Sequence, residues 1–79
     1  LPTIEEYLSD WEGQISVGAI GPIRCAAVAS DPHGMPVALV RQPGESVKDL
    51  LERLDRHLRA ALDHDEYTDE INPPLPSRR

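Results

Sequence analysis

The sequence predicts a single small α+β domain of order α-β-β-β-α, with a three-stranded antiparallel meander and one long C-terminal amphipathic helix. Three observations predict it. Apolar residues recur at helical spacing near the start of the chain and again over residues 46–65. Between them lie short runs of β-forming residues. Gly- and Pro-bearing turns separate those runs. The expected division is residues 1–72 for the domain and 73–79 for a flexible Pro-rich tail.

Residues 3–13 predict the first helix. Thr3 has the side chain of an N-cap, and Glu6 stands at the capping-box spacing from it. Ile4, Tyr7, Leu8 and Trp11 follow the i, i+3, i+4, i+7 spacing of one buried face, and Gly13 is placed to end the helix. Residues 14–20 predict a strand, with Ile15 and Val17 alternating against polar or small neighbours. Gly21-Pro22 breaks the chain, and residues 23–30 predict a second strand. Asp31, Pro32 and Gly34 are the preferred residues of a type I turn, leading into a third strand over residues 35–42. Pro36 has no backbone donor and belongs at a strand start or on an edge.

Residues 46–65 predict the long helix, with Ser46 as N-cap. Val47, Leu50, Leu51, Leu54, Leu58, Ala61 and Leu62 form one apolar stripe. Asp49/Arg53, Glu52/Arg56 and Asp55/Arg59 are acid-first i, i+4 pairs on the other face. At 1.5 Å per residue such a helix is roughly 30 Å long. That exceeds what a small three-stranded sheet covers, so the surface near Leu58 and Leu62 is expected to need the first helix or a second subunit. Residues 66–72 are expected to fray or add one turn.

The order α-β-β-β-α, together with the Gly21-Pro22 turn, resembles the double-stranded-RNA-binding domain. That resemblance implies phosphate contacts from a Lys-rich start of the last helix, but here Lys48 stands between Glu45 and Asp49. The Gly44-Glu45-Ser46 turn into an amphipathic helix resembles HicB-like antitoxins, without the Pro-Gly-Cys strand that usually precedes it there. Either resemblance implies a nucleic-acid-associated regulator.

Composition narrows the function classes. Leu, Ile and Val number nineteen and the aromatics only three, Tyr7, Trp11 and Tyr67, so the core is thin. A chain this small rarely stabilises itself by its core alone. Cys25 has no partner for an internal disulfide, and no Cys/His pair suits zinc, which leaves oligomerisation. The net charge of −6 disfavours nonspecific nucleic-acid binding and a polybasic membrane anchor. The start of the chain carries no signal-peptide pattern, so the expected location is the cytoplasm.

The candidate sites are few. His57, His64, Asp63, Asp65, Glu66, Asp69 and Glu70 gather toward the C-terminus. A calcium loop starting at Asp63 fails at Tyr67 and Thr68. A zinc pair on one helix face fails because Ala61 and Thr68 stand at the i+4 positions. The cluster reads as a solvated, fraying helix end. Cys25 reads as a buried, inert thiol in mid-strand. Pro73, Pro76 and Arg78 fit a Pro-x-x-Pro-x-Arg ligand, which also reads as an undocked tail. No catalytic residue, metal site or cofactor is expected. The expectation is a small, acidic, non-catalytic protein-interaction or regulatory module that self-associates as a homodimer. A further protein partner is compatible with this reading. Trp11, Leu54, Leu58 and Leu62 are placed at the contact, and the Arg53, Arg56, Arg59 face serves the nucleic-acid alternative.

Overall fold

A computed structural model describes residues 1–71. The elements are α1 (Pro2–Asp10), β1 (Gln14–Ile20), β2 (Ile23–Asp31), β3 (Gly34–Val40), α2 (Val47–His64) and β4 (Thr68–Asp69). The predicted α+β class and the antiparallel meander β1-β2-β3 are present. A short fourth strand is added: the sheet order is β1-β2-β3-β4, with β4 parallel to β3. The expected tail at 73–79 lies outside the described residues.

Both helices cover one face of the sheet. α2 lies over β3 and β2, and α1 packs against α2 and β1. Alternation sends Ala27 and Ala29 of β2, and Val37 and Leu39 of β3, into a core with Tyr7, Leu50, Leu54, Leu58 and Ala61. Ile15, Cys25, Leu51 and Leu62 pack at its margin. Leu50, Leu54 and Leu58 are fully buried. Each is worth about 1.5–3 kcal/mol, against about 0.2–0.5 kcal/mol for a helix-surface ion pair, so the stripe dominates the energetics of α2.

α2 begins as the sequence predicts. Ser46 Oγ accepts from the Asp49 amide at 3.0 Å, satisfying one of the four N-terminal donors that a helix leaves unpaired. Its end is better ordered than expected. Asp65 takes the left-handed conformation, and its amide and that of Glu66 bond back to Ala61 and Ala60. The chain then turns along β3, where Val37 faces Thr68 and Ala38 faces Asp69. Residues 66–70 therefore neither fray nor extend the helix. They close a β-α-β unit, which periodicity could not show because β4 is two residues long.

The start of α1 corrects the sequence reading in two ways. The helix begins at Pro2, whose fixed φ suits the first turn, and Thr3 is buried inside it. The Ile4 amide, left without a local cap, is capped from α2: it donates to Asp55 Oδ1 at 2.7 Å. The buried face is Thr3 and Tyr7 with Ile4 half-buried, whereas Leu8 and Trp11 are exposed. Gly13 serves the expected end by a different route. Glu12 takes the positive φ, and a Cβ on Gly13 would stand 2.3 Å from Tyr7 Cδ2. The ring of Tyr7 fills the space that a side chain would need.

Between the strands, Gly21-Pro22 and Pro32-His33 form the two hairpin loops. Gly21, at φ 56, takes the left-handed conformation that the first loop requires. The β2–β3 register shifts between Ala29 and Asp31, and Pro36 lies opposite this irregularity, where a missing donor is tolerated.

Gly13→Ala is expected to lower stability by about 1–3 kcal/mol through this overpacking, and Ser46→Ala by about 1 kcal/mol through the lost cap. Urea denaturation of each variant measures both. An unchanged midpoint for Gly13→Ala would mean that the Tyr7 ring has room to move.

Candidate functional site

A half-open cleft of about 360 Å³ lies where the end of α1, the β2–β3 hairpin and the α2–β4 connection meet. Trp11, Met35, Pro36, Leu62 and Tyr67 supply its apolar walls, and Asp31, His33 and Asp65 its polar groups. Each is held there by local structure. Trp11 caps the C-terminus of α1, its amide bonded to Tyr7 O at 3.2 Å and its indole Nε1 donating to Glu6 Oε2 at 3.4 Å. His33 and Met35 flank the hairpin turn, and Tyr67 precedes β4.

Asp31 is the anchored member of the cleft. Its Oδ2 accepts from the Tyr7 hydroxyl at 2.5 Å, and its Oδ1 accepts from the His33 amide at 2.7 Å. The Tyr7 hydroxyl bond, helped by the His33 amide, holds the Asp31 carboxyl below its ordinary range despite partial burial. Burial, then the same hydrogen bond, push the Tyr7 phenol above its ordinary value. Asp31 is therefore an ionised carboxylate whose bonds are set by the fold.

Of the four residues expected at a subunit contact, the structure brings two together. Trp11 and Leu62 line the cleft. Leu54 and Leu58 have no accessible surface, because β2, β3 and α1 already cover them. A second chain cannot touch those two side chains; of the two covers expected for the surface near Leu58, the structure supplies the first helix. Met35 and Tyr67 were not singled out by sequence reasoning. No spacing rule connects them to Trp11, and the parallel β4 that brings Tyr67 near the hairpin was not foreseen.

The charged face of α2 is also wired differently. Instead of the acid-first i, i+4 pairs, Arg53 reaches across the fold. Its Nε and Nη2 meet Glu45 at 2.9 and 3.1 Å, Nη1 meets Glu70 at 2.9 Å, and Nη2 also donates to Val40 O at 2.9 Å. Glu70 in turn accepts from the Val40 amide at 2.9 Å. The Arg53 guanidinium and the Gln42 amide depress the Glu45 carboxyl to about 2. Arg59 ties α1 to α2 through Glu6 at 2.6 Å and Thr3 at 3.3 Å, and meets Asp63 at 3.0 Å. Two of the three arginines offered to phosphate are thus paired with acids of the fold itself. Lys48–Glu52, a base-first pair at 2.9 Å, is an exposed i, i+4 contact.

The remaining candidates are dispersed. His57 Nδ1 meets Thr68 Oγ1 at 3.1 Å and links α2 to β4, while His64 sits exposed in the last turn. Cys25 is half-buried rather than buried, and lines a second, shallower cleft with Pro22, Val40 and Pro43. Among the described residues no group of three His, Cys, Asp or Glu is arranged to hold a metal ion, and no helix is long and apolar enough to cross a membrane.

The Tyr7–Asp31 bond has a pH signature. Asp31 is depressed, so its contribution is complete above its unfolded value near pH 4 and is lost as pH falls through the folded value. Tyr7 is raised, so its contribution is complete below roughly pH 10 and is lost as pH climbs toward the folded value. Tyr7→Phe is therefore expected to cost about 1–2 kcal/mol near neutrality, with the gap from wild type narrowing at both extremes. Denaturation across pH measures this, and a gap independent of pH would contradict the assigned bond.

No family model, no curated protein and no solved structure matches the chain.

Proposed function

We propose that this protein is a small, non-catalytic interaction module that forms a homodimer by pairing β1 with β1 of a second copy. One observation carries the reading: β1, whose outer edge no further strand pairs among the described residues, is seven residues without a charge or a proline. Edge strands ordinarily defend themselves with lysines, prolines, bulges, short length or a covering element, because their unpaired amides and carbonyls template another strand. β1 carries one irregularity, between Gly18 and Ile20, which leaves Gln14 to Gly18 as a regular run. Antiparallel pairing of β1 with itself satisfies those groups around a two-fold axis, the commonest symmetry of soluble oligomers. Val17 supports the same edge. It faces the helix side beside Ala27 yet remains 44% exposed, because α2 lies over β2 and β3 and α1 packs only near the start of β1.

The non-catalytic part of the reading is supported by Asp31, whose two oxygens already accept from Tyr7 and His33. A single, unpaired cysteine supports a reducing compartment such as the cytoplasm.

Sedimentation at low micromolar concentration is expected to give a dimer for the native chain and a monomer for Val17→Lys, with unchanged circular dichroism. Hydrogen exchange should show the outward-facing β1 amides, those not bonded to β2, protected only in the native chain. A native monomer, or a Val17→Lys dimer, overturns the reading.

A further inference from the structure

We infer that the cleft at the hairpin end takes an arginine or lysine side chain presented, among apolar neighbours, by a segment of a protein partner. The inference concerns a different surface from the β1 edge and stands or falls separately from it. Trp11, Met35 and Tyr67 are 42, 44 and 69% exposed, and all three converge on this one cleft. Single exposed apolar residues are ordinary, but two aromatics and a methionine around one concavity are not.

The charge of the cleft selects the occupant. Asp31 is held ionised by Tyr7, and Asp65 stands at the C-terminal end of α2. That end already carries the negative pole of the helix dipole, and the last turn holds no Lys or Arg to offset it. Asp63 has Arg59 as its partner, but among the described residues no Lys or Arg lines the cleft, and His33 is the one basic residue there. Aromatic faces beside carboxylates attract cations: the ring quadrupoles and the acids act in the same direction. The net charge of −6 extends that attraction beyond contact distance and favours a basic partner. About 360 Å³ accommodates one long side chain with an apolar neighbour, and the open mouth admits a side chain standing out from a larger surface.

The test selects peptides from a random phage-displayed library against the full chain. Selected peptides are expected to pair Arg or Lys with apolar residues. A labelled synthetic copy of the best peptide should bind by fluorescence polarisation and weaken with added salt. Binding should fall roughly tenfold or more on Trp11→Ala, Tyr67→Ala and Asp65→Lys, and survive Val17→Lys. Trp11 and Tyr67 are exposed, and circular dichroism confirms that each variant folds. The inference is overturned by no enrichment, by selected peptides that lack a basic residue, or by binding indifferent to all three cleft substitutions.

Discussion

The hydroxyl of Tyr7 on the carboxylate of Asp31 is the contact on which the arrangement of the layers depends. Tyr7 is fully buried and belongs to the same core cluster as the α2 leucines and the β2–β3 side chains. Its ring lies in the space left by Gly13, at the start of the sheet. Its oxygen reaches the β2–β3 hairpin, where Asp31 also holds the turn through the His33 amide. One side chain therefore sets the position of α1, the entry into β1 and the shape of the hairpin. A phenylalanine would fill the core equally well but would remove the tie between α1 and the hairpin and leave the carboxylate without its main partner. The mouth of the cleft depends on the same contact, because Trp11 follows Tyr7 by one helical turn and Asp31 forms the facing wall.

Charged side chains do the rest of the joining, over long sequence distances. Arg59 and Asp55 fix α1 onto α2, one through Glu6 and Thr3, the other through the Ile4 amide. Arg53 fixes the first half of α2 to the end of β3 and to the segment after β4. Isolated exposed ion pairs add little stability. Arg53 differs because its side chain is largely buried, at 17% exposure, and it bonds two carboxylates and a carbonyl. Losing one carboxylate would leave a buried charge partly unmatched, and that cost exceeds what the contact contributes. The acidic composition follows in part from this, because Glu45 and Glu70 are the partners of Arg53 and Glu6 that of Arg59.

What was legible in the residues was local. The leucine spacing and Ser46 placed α2 within a residue of its observed bounds, and the Gly-Pro and Asp-Pro-x-Gly turns placed three strands, because these signals act within one turn of chain. What was illegible depended on residues far apart. Thr3 looks like a cap only when Asp55, supplied by another helix, is unknown. The i, i+4 pairs look satisfied only when Glu45, Glu70 and Glu6 are not in view as competitors for the same arginines. Tyr67 could not be placed near Trp11 without β4, and two residues carry no periodicity. Leu54 and Leu58 were placed at a contact because the residues left open whether the first helix or a second chain covers the stripe, and α1 packed on α2 is that cover.

The distribution of large side chains follows from how closely the helices and the sheet approach one another. Its core is built from leucines and alanines and contains one aromatic, Tyr7. Burying an aromatic removes about 150–250 Å² from water, which at roughly 25 cal/mol per Å² is worth about 4–6 kcal/mol. A domain of this size has every reason to use its other two aromatics inside, yet Trp11 and Tyr67 stand outside, both lining one cleft. Alanines meanwhile occupy Ala27 and Ala29, where larger residues would push α2 away from the sheet. The close approach of α2 leaves those two inward positions no room for rings. The α2–β4 connection then carries Tyr67 to the rim instead. The fold is held by small residues, hydrogen bonds and arginines, which leaves its most adhesive side chains at the surface. The same division leaves β1 without a charge on its edge, because none of the internal arginine networks reaches it.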